Sequence, residues 1–125
     1  MKQIIHTDLA PKAVGPYSQA VMTKDMIYTS GQIPIDPAQG KIVAETIEAQ
    51  TEQVMKNLKA VLAEAGVGMD RIVKTTCYLA DIADFAAFNG VYAQYFPENP
   101  PARSCFQVAA LPMGAKVEVE VIAVR

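Results

Sequence analysis

The sequence predicts an α+β fold, a mixed sheet of about six strands with two helices packed on one of its faces. Two segments place their apolar residues three and four positions apart, as on one side of a helix. Other, shorter segments are rich in β-branched and aromatic residues or alternate apolar with polar ones, as strands do. The 125 residues contain no linker and no repeat, so we expect a single domain over residues 1–125.

The two helices are predicted over about residues 46–65 and 82–96. Thr46 suits the N-cap of the first helix, and Gly66 suits the position just after its end. Asp81 can cap the second helix, Pro97 stops it, and Gly90 inside it should weaken it. The apolar stripe of the first consists of Ile47, Val54, Met55, Leu58, Val61, Leu62 and Ala65. That of the second consists of Phe85, Phe88, Tyr92, Tyr95 and Phe96.

Strands are predicted over residues 26–30, 72–79, 104–108 and 116–124, with weaker signals at 2–6 and 18–22. In chain order the elements read β-β-β-α-β-α-β-β. Because both helices should cover the same sheet face, the other face needs cover. A chain of this size has no further layer to supply it, so we expect copies of the chain to associate there.

Composition excludes several classes of protein. Hydrophobic residues make up 51% and charged residues 19%, which indicates a globular chain. The net charge of -2 leaves no basic excess to neutralise phosphates, so we expect no nucleic-acid binding. No apolar run approaches the ~18 residues of a membrane span, and the N-terminus lacks a signal segment, so we expect a cytoplasmic protein. Cys77 and Cys105 lie outside any CxxC pattern, which favours reduced thiols.

Sequence motifs point to few kinds of chemistry. There is no Gly-rich phosphate loop, no GxSxG and no metal-ligand cluster, so we expect no metal site. His6 is the only histidine, and a solvated or edge-strand position is expected for it.

Three segments are candidates for function. Two prolines precede Arg103 and restrict where its planar guanidinium points, which suits a carboxylate ligand; a surface ion pair is the alternative. Glu118 lies on a strand face that becomes apolar towards the C-terminus, so its carboxylate could be partly desolvated and act as a base; a solvated face is the alternative. Turns around Tyr17, Ser30 and Gly31 could present binding groups, or could be ordinary turns.

Together these segments resemble the Rid family of reactive-intermediate deaminases, also called YjgF-type proteins. The resemblance covers nearly the whole chain and includes a Pro-Ala-Arg-Ser motif, a Leu-Pro pair and a Val-flanked Glu. One departure is Val119, where the family more often has Ile or Met. The matching segments are Ala13 through Ala20, Thr29-Ser30-Gly31-Gln32-Ile33-Pro34, Ile72-Val73-Lys74-Thr75-Thr76, Asp84-Phe85, Asn89, Pro101-Ala102-Arg103-Ser104, Leu111-Pro112 and Val117-Glu118-Val119.

The resemblance implies a homotrimer of chorismate-mutase-like subunits, with sheets around the threefold axis and clefts between neighbouring subunits. It implies hydrolysis of short-lived enamines and imines, such as 2-aminoacrylate and 2-aminocrotonate, to 2-keto acids and ammonia. No cofactor is implied.

The resemblance also implies roles for individual residues. Arg103 would hold the substrate carboxylate, and Glu118 would orient a water molecule and move protons. Tyr17 would cover the ligand, with Ser30 and the Gly31 N–H completing the polar contacts. The Cys105 backbone would help to hold the water, and its thiol would be a wall of the cleft and not a nucleophile. Asn89 shares the resemblance, but the sequence does not indicate its place.

Two other functions stay open from the sequence. A trimer that binds 2-keto acids or similar metabolites without turnover would need the same Arg103, although not a carboxylate next to a bound anion. An RNA-cleaving translation inhibitor is disfavoured by the pI of about 5.3 and by the lack of a histidine pair.

Overall fold

A computed structural model describes residues 1–125 as a six-stranded sheet, a short hairpin and two α-helices. The order across the sheet is β1-β2-β3-β8-β6-β7, with β6 and β7 parallel and all other neighbours antiparallel. The α+β fold and the mixed sheet are confirmed. The elements are β1 (Gln3–Ile5), β2 (Ala20–Met22), β3 (Met26–Thr29), β4 (Ile35–Asp36), β5 (Lys41–Ile42), α1 (Ile47–Glu64), β6 (Ile72–Leu79), α2 (Phe85–Tyr92), β7 (Ala102–Gln107) and β8 (Val117–Val124).

Helix α1 forms as predicted: its apolar stripe is buried, and it begins and ends at the residues expected from Thr46 and Gly66. The Thr46 hydroxyl accepts a hydrogen bond from the Ala49 N–H at 3.1 Å. Gly66, with φ of 89°, ends the helix in a conformation that other residues rarely adopt. Val54, Leu58 and most of the predicted stripe are fully buried against the sheet. Neither helix has the length and hydrophobicity that crossing a lipid bilayer requires.

The second predicted helix is α-helical only in its middle. Ile82–Asp84 and Ala93–Tyr95 are 3₁₀ turns on either side of α2. The Asp81 carboxylate accepts a hydrogen bond from the Ala83 N–H at 2.9 Å, as expected for a cap. Of the predicted apolar stripe, Phe88 is fully buried, whereas Phe85 at the start of α2 is 36% exposed.

One predicted strand needs correction, and one hairpin was missed. Strand β7 begins at Ala102, two residues earlier than expected, because the parallel pairing with β6 starts where Ala102 lies opposite Lys74. The hairpin of β4 and β5 was not expected, because strands of two residues carry too little periodicity to be detected.

The sheet has a helix face and an open face. On β8, Val117, Val119, Val121 and Ala123 are buried under the helices, while Glu118, Glu120, Ile122 and Val124 lie on the open face. The open face also carries large exposed apolar side chains: Ile4 is 54%, Tyr28 43% and Phe106 46% exposed. In a single chain this face is therefore uncovered, as the sequence predicted.

Candidate functional site

A pocket next to Glu118 gathers several of the predicted site residues. It has a volume of about 480 Å³, and Tyr17, Ser30, Gly31 and Glu118 are among its lining residues; we call it the Glu118 pocket. Residues 30–33 are pinned alongside β8 because the Gln32 N–H donates to the Val119 carbonyl at 2.9 Å, and the reverse bond measures 3.2 Å.

Ser30 and Gly31 contribute to this pocket in different ways. The Ser30 hydroxyl donates to the Ser18 carbonyl at 2.6 Å, so it ties the Tyr17 turn to the pocket wall. The Gly31 N–H has no acceptor within the chain and is available to a ligand. A Cβ at Gly31 would lie only 2.0 Å from the Glu118 Oε2 atom, so glycine makes the space that the carboxylate occupies.

The Glu118 carboxylate is suited to exchanging protons. Its side chain is half-buried, and none of the chain's side-chain hydrogen bonds involves it. Burial raises the pKa of Glu118 above its ordinary value, and the nearby Glu120 carboxylate raises it further. A carboxylate that binds protons more readily than usual is a candidate general base and acid.

Arg103 lies elsewhere, on the helix face of the edge strand β7. Its Nη1 donates to the Asn89 Oδ1 atom at 2.7 Å. Three aromatic rings of the α2 segment surround the guanidinium, which lies 5.4 Å from Phe85, 5.9 Å from Phe88 and 4.9 Å from Tyr92. We call this set the Arg103 cluster.

The Arg103 guanidinium has no carboxylate partner. Within the chain only His6 and Asp8 come within salt-bridge distance of each other, at 3.2 Å and in solvent-exposed positions. An intrachain surface ion pair is therefore excluded for Arg103. One amide oxygen and three rings orient the group while leaving further N–H donors for an anion.

Cys105 lies two residues beyond Arg103 on the same strand face, directly opposite Cys77 of β6. Both thiols are free. Burial raises the pKa of the Cys105 thiol, which Arg103 offsets only in part, so the group stays protonated near neutral pH. This favours a wall residue over a nucleophile.

The Glu118 pocket and the Arg103 cluster lie on opposite faces of the sheet. Arg103 pairs with Thr75 of β6 and Glu118 with Tyr78, so they are three residues and two strands apart. Strand spacing and rise then place their Cα atoms roughly 14 Å apart, with the side chains pointing away from each other. One copy of the chain does not bring Arg103 and Glu118 to a common small ligand.

The structure adds residues that the sequence reasoning did not place. Asn89 orients Arg103, and the aromatic stripe of α2 supplies the rings around it, although periodicity had indicated only a packing role. Lys12 and Met113 line the Glu118 pocket. Their neighbours in sequence, Pro11 and Pro112, were the available signals of turns at this site.

The sequence model of the family described as "Endoribonuclease L-PSP" matches residues 7–125. The chain belongs to the Rid family. The 2-iminobutanoate/2-iminopropanoate deaminase of Homo sapiens is 46% identical over 125 residues, covering 100% of this chain and 91% of that protein. Reactive Intermediate Deaminase A, chloroplastic, of Arabidopsis thaliana is 49% identical over 122 residues, covering 98% of this chain; the chain spans 65% of that longer protein. The crystal structure of E. coli TdcF with bound serine matches at a TM-score of 0.94 and 44% identity, covering 98% of each chain.

Proposed function

We propose that this Rid protein hydrolyses small 2-imino acids, and their 2-enamine tautomers, to 2-keto acids and ammonia, in clefts between subunits of a homotrimer. The observation that carries the proposal is the half-buried Glu118 carboxylate next to the free Gly31 N–H. A site that only bound an anion would gain nothing from a carboxylate there, because like charges repel. The names of the human and Arabidopsis relatives support the same reaction class.

Two subunits are part of the proposal because one subunit separates the two charged groups. The Arg103 cluster lies at the outer edge of the sheet, on β7, where a second subunit can approach it. Association of copies of the chain would remove the apolar side chains of the open face from water, which favours association. In the assembly, Arg103 of one subunit and Glu118 of its neighbour face each other across the cleft.

In this cleft Arg103 binds the substrate carboxylate through two N–H donors. The Gly31 N–H and Ser30 contact the polar groups of the substrate, and Tyr17 covers it. Glu118 accepts a proton from a water molecule whose oxygen attacks the imine carbon. It then gives that proton to the nitrogen of the resulting carbinolamine. As the carbon–nitrogen bond breaks, Glu118 takes the hydroxyl proton, so that the keto acid carbonyl forms and ammonia leaves. General acid–base assistance of this kind accelerates a reaction by roughly 10²–10⁴-fold.

The first test follows the reaction directly. A serine dehydratase generates 2-aminoacrylate in situ, and the appearance of keto acid is followed with and without the Rid protein. We expect faster appearance with the wild type and loss of that gain in Arg103→Lys and Glu118→Gln. Arg71→Lys and Glu64→Gln, both on exposed positions away from the pocket, are matched controls and should retain the gain. Binding of a keto acid by a wild type that gives no acceleration would support a binding protein instead.

The second test asks whether the two charged groups come from different subunits. Arg103→Lys and Glu118→Gln chains are unfolded together, mixed in equal amounts and refolded. Random assembly puts a wild-type Arg103 opposite a wild-type Glu118 in about one quarter of the clefts, so about a quarter of the activity should return. No recovery, with mixed trimers shown by native mass spectrometry, would contradict the shared cleft.

A further inference from the structure

The open face of β8 carries two glutamates with different surroundings. Glu118 and Glu120 are two residues apart and point to the same side. Tyr78 of β6 lies opposite Glu118 in the register, and its hydroxyl reaches diagonally to donate to the Glu120 Oε1 atom at 2.6 Å. Glu120 therefore has a fixed partner, while Glu118 has none and faces the pocket.

The hydrogen bond from Tyr78 to Glu120 is maintained at neutral pH. Sharing its proton with Glu120 raises the pKa of Tyr78 to about 12, and partial burial contributes to the increase. The phenol therefore remains a donor throughout the neutral range. The ring of Tyr78 is itself held by an edge-to-face contact with Phe106 of β7, with centroids 5.4 Å apart.

Few other charges face Glu118. On its own strand face, Lys116 lies two residues before it and Glu120 two residues after it. From β6, Tyr78 is opposite, and Lys74 is occupied with oxygens of Thr75, Thr76 and Ser104. The remaining titratable groups at this place are Lys12 and Tyr17, which line the same pocket.

We propose that the Tyr78–Glu120 pair positions a fixed negative charge next to Glu118, so that Glu118 is the carboxylate that takes up and releases protons in the cleft. The inference rests on the proposed function, and it assigns Glu120 and Tyr78 as positioning residues that do not touch the substrate. The charge of Glu120 favours the protonated form of Glu118, which the second half of the reaction requires. Cover of the open face by a second subunit strengthens this effect, because less water screens the two carboxylates.

The test measures the protonation of the Glu118 carboxylate directly and does not depend on catalytic turnover. The side-chain carboxyl carbon of Glu118 is followed by NMR during a pH titration of the full-length protein, in the wild type, Glu120→Gln and Tyr78→Phe. In Glu120→Gln the midpoint is expected to fall by about 0.5–1 pH unit, because removing a neighbouring negative charge favours the ionised form of Glu118. In Tyr78→Phe the Glu120 carboxylate is no longer held by the phenol, and the midpoint should lie between those of the wild type and Glu120→Gln. The acid limb of the kcat/KM profile should move in the same order.

A second tyrosine–glutamate pair supplies the control. Tyr95 donates to Glu52, joining α1 to the turn after α2 away from the Glu118 pocket. Glu52→Gln should leave the Glu118 titration unchanged, whatever it does to stability. An unchanged Glu118 midpoint in Glu120→Gln would overturn the inference, and an unchanged midpoint in Tyr78→Phe would remove Tyr78 from it. If the wild type does not accelerate imine hydrolysis, the proposed function fails instead, and the titration separates the two results.

Discussion

Replacing Gly31 with alanine tests the geometry of the Glu118 pocket. Gly31 does not have a positive φ, so its backbone tolerates a side chain. The new Cβ, however, would lie 2.0 Å from the Oε2 atom and 2.8 Å from the Cδ atom of Glu118. Because backbone hydrogen bonds of Ser30 with Gln19 and of Gln32 with Val119 hold the chain on either side of Gly31, the Glu118 side chain must rotate away.

The expected costs to stability and to activity differ widely. Moving one partly exposed side chain out of its preferred rotamer costs about 0.5–1.5 kcal/mol. For a chain of this length, a loss of about 1 kcal/mol lowers Tm by about 4 °C. Displacing the proposed general base should lower kcat/KM by roughly 100-fold or more, equivalent to about 2.7 kcal/mol or more of transition-state stabilisation.

The assay combines keto-acid production from 2-aminoacrylate with thermal unfolding of the same preparation. Gly90→Ala is the matched control: it lies inside α2, and a Cβ there meets nothing within 4 Å. It should keep full activity and gain about 0.5–1 kcal/mol of stability, as glycine weakens a helix. Wild-type activity in a folded Gly31→Ala protein would refute the idea that Glu118 acts from the position beside Gly31.

Three further predictions concern stability. Gln19 is buried; its side-chain oxygen accepts a hydrogen bond from the Thr7 N–H at 2.7 Å, and its side-chain nitrogen donates to the Pro11 carbonyl at 2.8 Å. Gln19→Leu leaves these backbone groups unpaired, so the free energy of unfolding measured in urea should fall by about 2–4 kcal/mol. Met113 is exposed and has a φ of 58°, a backbone conformation that glycine adopts more easily than methionine. Met113→Gly should therefore raise the free energy of unfolding by about 0.5–1 kcal/mol in the same measurement, and a decrease would contradict backbone strain at this position. Because burial and the nearby Glu120 carboxylate raise the pKa of Glu118 above its ordinary value, ionising Glu118 opposes folding as the pH rises. The Tm of Glu118→Gln relative to wild type should therefore be higher at pH 7 than at pH 4, and the reverse order would show that the carboxylate is stabilised in the fold.

Sequence patterns predicted those elements whose signals are local. Helix α1 combines a long stripe, the Thr46 cap and Gly66, and the structure agrees with each. Strand β7 was predicted less well, because its start depends on parallel pairing with β6, which is distant in sequence. The β4–β5 hairpin escaped notice because strands of two residues carry too little periodicity to detect.

The candidate site shows the same division. The Pro-Ala-Arg-Ser motif and the Val-flanked Glu made Arg103 and Glu118 candidates, and the resemblance to the Rid family assigned them functional roles. The sequence did not predict what surrounds Arg103, because the apolar stripe of α2 predicts a buried helix face without indicating that Arg103 lies against it. The contact between Asn89 and Arg103 depends on how α2 lies relative to the edge strand, which the sequence does not indicate.

The sequence by itself determined the fold class, one long helix with both its ends, and the alternation that places Glu118 and Glu120 on one side of β8. The tertiary structure decided that Arg103 and Glu118 lie on opposite faces of the sheet, and that Tyr78 reaches Glu120 and not Glu118. The reason is physical. Alternation along a strand follows from backbone geometry within a few residues, whereas the register between strands is set by hydrogen bonds and packing among residues far apart in the chain.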